Sequence, residues 1–172
     1  MSYPHLIGLC GKARSGKSTV ARHLCERYGY SEFKFAGLLK EYAQKYFGLT
    51  PDECEHKTPE SRRILQGIGE MIRCEIDKNY WIDKLAGQVR FGLNVISDVR
   101  YLNELEWIHQ VGGVLWRLYR LGENGHTIEY GADHASETEM DQWCAWNSII
   151  RPARIGVAHL LVEIDWLMEQ HQ

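Results

Sequence analysis

The residues with the clearest chemical role form a glycine-rich run. Residues 11–19 are GKARSGKST, which fits the pattern G-x-x-x-x-G-K-[ST]. Four residues between two glycines let consecutive backbone N–H groups curl around a phosphate, and glycine permits backbone conformations that a side chain would block. The run therefore predicts a phosphate-binding P-loop.

The P-loop pattern also predicts a role for each residue type. Lys17 would reach the β- and γ-phosphates of a nucleoside triphosphate, and the Ser18 hydroxyl would complete a Mg²⁺ shell. The helix that follows would point its positive end at the same anion. The alternative is a glycine-rich strand-to-helix turn that matches by accident, and the position between a strand pattern and a helix pattern favours the P-loop. The predicted ATP-binding residues are Gly11, Ala13, Arg14, Ser15, Gly16, Lys17, Ser18 and Thr19.

Two elements must hold this loop. The apolar run 5–10 predicts a strand, and residues 17–28 carry a helical stripe that ends at Gly29. Short apolar runs and helical patterns alternate along the chain, which predicts an α/β fold: a three-layer architecture with a five-stranded, mainly parallel sheet and helices on both faces. Further strands are predicted at 32–35, 93–97, 114–119 and 146–150, and further helices at 38–47, 61–76, 81–89, 103–110 and 153–168. The apolar spacing in two of these helices predicts a buried stripe at Ile64, Ile68, Met71 and Ile72 and another at Val157, Leu161, Ile164 and Met168.

Length and charge limit the function classes. The chain has 172 residues, enough for one domain over 1–172, and 20 basic against 23 acidic residues give a net charge of −3. This balance argues against polymeric nucleic acid or an anionic membrane as a partner. No run approaches the roughly 20 apolar residues of a membrane span, and the first residues lack the basic start of a signal peptide. We therefore expect a cytoplasmic protein.

Cysteine usage predicts neither disulfides nor a metal centre. The five cysteines are scattered without a C-x-x-C pair, so buried thiols are expected. Cys54 and His56 are close in sequence, but no second ligand pair stands at zinc-finger spacing.

A P-loop also occurs in GTPases and DNA translocases. The N-K-x-D run of GTPases is missing, and a translocase would need a longer chain with a basic track, so a small kinase remains. Such an enzyme needs an acid near Mg²⁺ and a cation for the acceptor phosphate. Asp98, at the carboxyl end of strand 93–97, could hold a Mg²⁺-bound water, and Arg100 could clamp the phosphate. Alternatively, Asp98 caps the next helix and Arg100 pairs with Glu104 or Glu106 on the surface.

The predicted helix 61–76 carries two glycines, Gly67 and Gly69, each of which costs about 1 kcal/mol relative to alanine. They indicate close approach of either a ligand or another helix. Arg62 and Arg73 flank them, either to meet a phosphate or base edge or to lie in solvent.

Another cation-rich segment follows the strand 114–119. Arg117 and Arg120 end this strand, and a glycine-bearing mobile loop at 120–135 would form a lid over the site. In the acidic run 133–141, Ser136 and Glu139 form a capping-box pattern that explains most of the acids, while His134 as a general base is the less favoured alternative.

Taken together, these motifs resemble those of phage-type deoxynucleoside monophosphate kinases within the P-loop nucleoside monophosphate kinase superfamily. The resemblance lies in GKARSGKST, the segment 33–49, LQGIGEMIR within 61–83, SDVRYLNE within 95–120, and DHASE within 133–141. It implies Mg²⁺- and ATP-dependent phosphorylation of a deoxynucleoside 5′-monophosphate to its diphosphate. It also implies an adenylate-kinase-like sheet, an acceptor-binding segment near 36–80 and a lid near 120–135.

The resemblance also implies roles for single residues. Lys17, Asp98, Arg100 and Arg120 are the expected catalytic residues, and Ser18 and Asp98 the expected Mg²⁺ ligands, Asp98 through water. The expected substrate-binding residues are Lys40, Arg62, Arg73 and Arg100. Gly69 stands where the family pattern has threonine, and Leu121 where it has proline; both departures concern acceptor choice rather than the reaction.

Two other functions stay open from the sequence. A P-loop kinase for another small acceptor, such as dephospho-coenzyme A, would share the loop, and a non-catalytic ATP-binding module would bind ATP without turnover. Trp107, Trp143 and Trp166 would mark a homodimer interface if exposed, although core packing explains them equally.

Overall fold

The computed structural model describes residues 3–55, 58–89, 91–121, 127–128, 139–151 and 156–171. The chain divides into two compact units, residues 1–33 with 90–172, and residues 34–89. None of the helices in the described ranges combines the length and the apolar character that a bilayer crossing demands.

Element labels follow chain order. The first unit contains β1 Leu6–Cys10, α1 Lys17–Tyr28, β2 Ser31–Phe33, β3 Asn94–Val99, α6 Leu102–Gln110, β4 Val114–Leu118, β5 Arg120–Leu121, β6 Thr127–Ile128, a 3₁₀ helix Glu139–Gln142, β7 Ser148–Ile150 and α7 Val157–Glu169. The second unit contains α2 Phe35–Phe47, α3 Pro51–Glu55, α4 Pro59–Glu75 and α5 Tyr80–Ala86.

The sheet of the first unit has five strands in the order β2-β3-β1-β4-β7, and each neighbouring pair is parallel. The predicted five-stranded parallel sheet is therefore confirmed. β1 is the central strand, so the loop that follows it leaves the carboxyl edge of the sheet between β3 and β4, where open α/β sheets bind ligands.

Helices cover both faces of this sheet, as predicted. Because successive strand residues point to opposite faces, Ile7 and Leu9 of β1 share one face. On that face they belong to a buried core with Val20 and Leu24 of α1 and Ile164 of α7. On the other face Gly8 leaves room for α6: a Cβ at Gly8 would lie 2.8 Å from Ile108 Cδ1.

The second unit is helical. Tyr42 of α2 packs against Tyr80 and Trp81 of α5, with ring centroids 5.9 and 5.7 Å apart. Gly69 of α4 faces Leu39 of α2, whose Cδ2 would lie 3.4 Å from a Cβ at Gly69. A helix crossing thus accounts for Gly69, whereas a Cβ at Gly67 would meet nothing within 4 Å in the part of the chain that the structure describes.

The structure corrects several expectations about single elements. α3 was not predicted, because Pro51–Glu55 is too short to show a helical period. The described residues of the expected loop 120–135 include the antiparallel pair β5–β6; 122–126 and 129–135 lie outside the described residues. Among expected buried residues, Ile64, Met71, Val157, Cys74 and Cys144 are exposed. In α7 the buried stripe is Leu160, Ile164 and Met168.

Candidate active site

The loop between β1 and α1 has the backbone of a phosphate cradle. Gly11 and Gly16 adopt φ values of 142° and 103°, which side chains rarely allow. A Cβ at Gly11 would also collide with the Leu118 carbonyl and the Ser15 hydroxyl. Both glycines of the pattern are therefore required by the fold of the loop.

The N-terminus of α1 is suited to an anion. Its N-cap is Gly16, which offers no side chain to the first backbone N–H groups, and its first turn holds no acidic residue. Uncapped N–H groups and the helix dipole together favour a negative charge at this point. The residues present therefore fit a bound phosphate.

Lys17 lies folded over the loop. Its Nζ donates to the carbonyl oxygens of Gly11 at 2.5 Å and Lys12 at 2.9 Å, and it lies 3.4 Å from Ser15 Oγ. The loop thus holds its ammonium group beside the backbone curve that would surround a phosphate. Of the remaining loop residues, Arg14 and Ser18 are exposed, Ala13 and Thr19 are half-buried, and Ser15 is buried.

Asp98 and Arg100 come to the same edge of the sheet. β3 pairs with β1 so that Val99 lies beside Cys10, the residue before the loop, with a register shift between Gly8 and Cys10. β3 continues through Asp98 to Val99 rather than ending at Ser97. Asp98 and Arg100 are both half-buried. The structure therefore brings the P-loop and the Asp98–Arg100 segment together at neighbouring strand ends.

Glu104 is buried, and its role at the start of α6 was missed from the sequence. Its side chain is 2% exposed, and its Oε2 accepts the backbone N–H groups of Arg100 at 2.8 Å and Tyr101 at 3.2 Å. It therefore caps the start of α6 and holds the backbone of Arg100. Burial raises the pKa of the Cys10 thiol, and the negative charge of Glu104 raises it further. The glutamate at the third position of a helix was the available signal.

The two arginines near the end of β4 lie in different environments. Arg117 is 7% exposed, whereas Arg120 is exposed. The Arg117 guanidinium lies 5.0 Å from the Tyr119 ring centroid and 5.3 Å from that of Trp146. Arg117 is thus part of the packing, and Arg120 is the cation that faces solvent. Both line a pocket with Gly11, Lys12, Ser15, Leu118 and Tyr119.

The second unit carries the other three predicted binding residues. Lys40 lies 2.8 Å from Glu55 Oε2 in an ion pair. Arg62 is exposed, and Arg73 is half-buried with Nη1 3.4 Å from the Gly69 carbonyl oxygen. Asp133, His134 and Ser136 lie outside the described residues.

The chain is similar to known proteins both in sequence and in fold. No protein-family model matches the chain. The Acanthamoeba polyphaga mimivirus protein named "Putative deoxynucleotide monophosphate kinase" is 32% identical over 162 residues, with 78% of this chain and 81% of the relative covered. This chain belongs to the deoxynucleotide monophosphate kinase family.

Solved structures agree in fold. Shikimate kinase from Aquifex aeolicus vf5 matches with a TM-score of 0.51 at 15% identity, covering 96% of this chain and 97% of that chain. A gluconokinase from Sinorhizobium meliloti 1021 matches with a TM-score of 0.51 at 16% identity, covering 99% and 97%. Both show the P-loop kinase fold. With the family assignment, the protein is a phosphotransferase with a nucleotide-binding P-loop.

Proposed function

We propose that this protein transfers the γ-phosphoryl group of ATP to a deoxynucleoside 5′-monophosphate, with Mg²⁺, to give ADP and a deoxynucleoside diphosphate. The observation that carries the proposal is a formed P-loop at the carboxyl edge of the sheet in a member of the deoxynucleotide monophosphate kinase family. The named activity of the mimivirus relative supports the choice of acceptor.

For the donor, we assign residues 11–19 to the phosphates of ATP. Lys17 already carries its ammonium group against the loop carbonyls, so little reorganisation is needed for it to approach a phosphate oxygen. Ser18 offers a hydroxyl oxygen and Asp98 a carboxylate, which are ligand types that Mg²⁺ prefers, directly or through water. Bound there, Mg²⁺ would neutralise charge on the phosphate oxygens.

For the acceptor, we assign Lys40, Arg62, Arg73 and Arg100 to the monophosphate. Lys40 is paired with Glu55, but the Glu55 side chain is 69% exposed. An ion pair with an exposed partner contributes little, so a phosphate dianion can compete for the ammonium group. Arg100 starts from a backbone held by Glu104, which limits the freedom it must lose on binding.

The reaction needs little proton chemistry from the protein. A phosphate monoester is largely a dianion near neutral pH, because its second pKa is about 6, so its oxygen can attack without a general base. The protein must then align the two phosphates and neutralise the moving charge. We assign neutralisation to Lys17, Arg100 and Arg120.

An acceptor panel tests the proposal. The protein is incubated with ATP and Mg²⁺ and with dTMP, dGMP, dCMP, 5-hydroxymethyl-dCMP or dephospho-coenzyme A, and nucleotide products are separated by ion-exchange chromatography. ADP and a deoxynucleoside diphosphate are expected in equal amounts. Transfer only to dephospho-coenzyme A would show a different acceptor, and ATP binding without turnover would show a binding module; either outcome removes the proposal.

A further inference from the structure

Asp141 lies between two cations beside the P-loop, and no role in the reaction described above uses it. It belongs to the 3₁₀ helix Glu139–Gln142. One carboxylate oxygen, Oδ1, accepts a hydrogen bond from Arg117 Nη2, and the other, Oδ2, lies 3.6 Å from Lys12 Nζ. A single carboxylate thus joins the end of β4 to the second residue of the phosphate loop.

The Arg117 side of this bridge is buried. The guanidinium also donates to the Met140 carbonyl oxygen at 3.3 Å, while its Nε has no hydrogen-bond partner among the described residues. A buried cation is unfavourable unless a counter-charge lies nearby, and Asp141 supplies that charge. Arg117 also lies directly beside Cys10 in the β1–β4 pairing, so this anchor stands next to the start of the loop.

The Lys12 side reaches the loop itself. The Lys12 backbone carbonyl accepts the Ser15 N–H at 3.2 Å and the Lys17 ammonium at 2.9 Å. Lys12 therefore contributes the acceptor that holds Lys17, and its side chain, 14% exposed, is held in turn by Asp141. A shift of the Lys12 backbone would move both the loop curve and the ammonium group.

We propose that Asp141 is a positioning residue for the P-loop, which acts through Lys12 and Arg117 to keep the loop in the geometry that binds a triphosphate. The inference deepens the proposed function and rests on it only in requiring that the loop binds ATP. The inference also gives a role to Asp141 as the last acid of the run 133–141, because capping a helix does not require an acid at this position.

Binding of MgATP, measured by isothermal titration calorimetry, tests this role. Asp141→Asn keeps the shape of the side chain but replaces the carboxylate with a neutral amide. Lys12→Met removes the ammonium group that faces Asp141 and leaves the Asp141–Arg117 pair in place. Networks of this kind change binding by about 2- to 30-fold, and we expect each variant to raise the Kd about tenfold. The double variant should show about the same tenfold loss, because both changes break one link.

Asp165→Asn is the matched control. It also removes an aspartate from an ion-pair cluster, so it should lower the melting temperature while the Kd for MgATP stays within twofold of wild type. In turnover assays Asp141→Asn should raise KM for ATP and, because the Lys12 carbonyl also holds Lys17, lower kcat, whereas Asp165→Asn should change neither. If Asp141→Asn does not fold, the Kd of Lys12→Met for MgATP still tests the inference.

An unchanged Kd in Lys12→Met overturns the inference, because Lys12 would then be irrelevant to binding. A Kd raised about a hundredfold in the double variant also overturns it, because Lys12 would then bind the nucleotide independently of Asp141. A wild-type protein that binds MgATP but phosphorylates no monophosphate overturns the proposed function instead, and leaves this comparison of Kd values intact.

Discussion

Lys17 shows how one side chain is prepared by its own loop. Its ammonium group is held by two backbone carbonyls of the residues that open the loop, Gly11 and Lys12. These two acceptors carry no net charge, so they hold the ammonium group in place without neutralising it. Preorganised charge of this kind stabilises a transition state without reorganisation during the reaction.

Lys17→Ala should therefore lower kcat by about 10²–10³-fold, the usual cost of removing one preorganised charge-stabilising donor. The measurement is the steady-state rate of ADP formation with a saturating monophosphate. Lys84→Ala, which removes an exposed lysine of α5, is the control and should keep the wild-type rate. Equal rates in the two variants would contradict the role assigned to Lys17.

Within α4, two glycines that look alike in sequence have different surroundings. Gly69 is buried against Leu39, whereas Gly67 is exposed, and a Cβ there would meet none of the described residues within 4 Å. Gly67 therefore weakens the helix without a packing role that the structure shows. At Gly48, which follows the C-terminus of α2, a Cβ would likewise meet nothing within 4 Å among the described residues, but Gly48 adopts a φ of 70°.

Gly67→Ala should raise the free energy of unfolding by about 0.5–1 kcal/mol, because alanine loses less backbone entropy in a helix. Gly48→Ala should lower it by about 1–2 kcal/mol, since a side chain is strained in the left-handed region. Urea denaturation of both variants measures the two changes. Both sites have room for a methyl group, so a loss at Gly67 would mean that backbone conformation is not what separates them.

At the scale of the molecule, an ion-pair cluster joins α1 to α7. Asp165 Oδ1 accepts from the Tyr28 hydroxyl at 2.7 Å and lies 2.6 Å from His23 Nε2, and Oδ2 lies 3.4 Å from Arg27 Nη1. Burial alone would raise the pKa of Asp165, but the hydrogen bonds from His23 and Tyr28 and the charges of His23 and Arg27 lower it overall. His23 and Asp165 are 142 residues apart, so the cluster closes a long stretch of chain.

This shift predicts a pH dependence of stability. A carboxyl group whose folded pKa is lowered stabilises the fold above its unfolded pKa, about 3.9, and the contribution disappears as the pH falls through the folded value. Near neutral pH, Asp165→Asn should cost about 2 kcal/mol of unfolding free energy, the range for hydrogen bonds to a charged group. In more acidic solution, wild type and variant should converge.

Urea unfolding at a series of pH values measures this difference. Asp83→Asn, which changes an exposed aspartate of α5, is the control and should follow wild type at every pH. A gap between wild type and Asp165→Asn that persists below the folded pKa would show that the carboxylate charge is not the cause.

Local patterns predicted much of this fold. The helix at Lys17–Tyr28 and its end at Gly29, with a φ of 74°, follow from apolar spacing and from the tolerance of glycine for the left-handed region. Strands β1, β3 and β4 were placed to within two residues, because buried parallel strands are short apolar runs. The predicted burial of Val157, Ile64 and Met71 was wrong, because all three are exposed. Periodicity identifies the apolar face of a helix, but it does not show how much of that face a neighbouring element covers.

The P-loop could be predicted from the sequence alone, because its residues are contiguous and its glycines constrain the backbone locally. The α/β alternation could also be predicted in this way and, through the family resemblance, so could the class of enzyme. Three features became visible in the folded chain alone. Arg117 is buried whereas Arg120 is exposed. The buried Glu104 accepts a hydrogen bond from the Arg100 backbone, and Asp141 lies between Lys12 and Arg117. These outcomes depend on burial and on charges brought together from distant parts of the chain, and no local pattern encodes them.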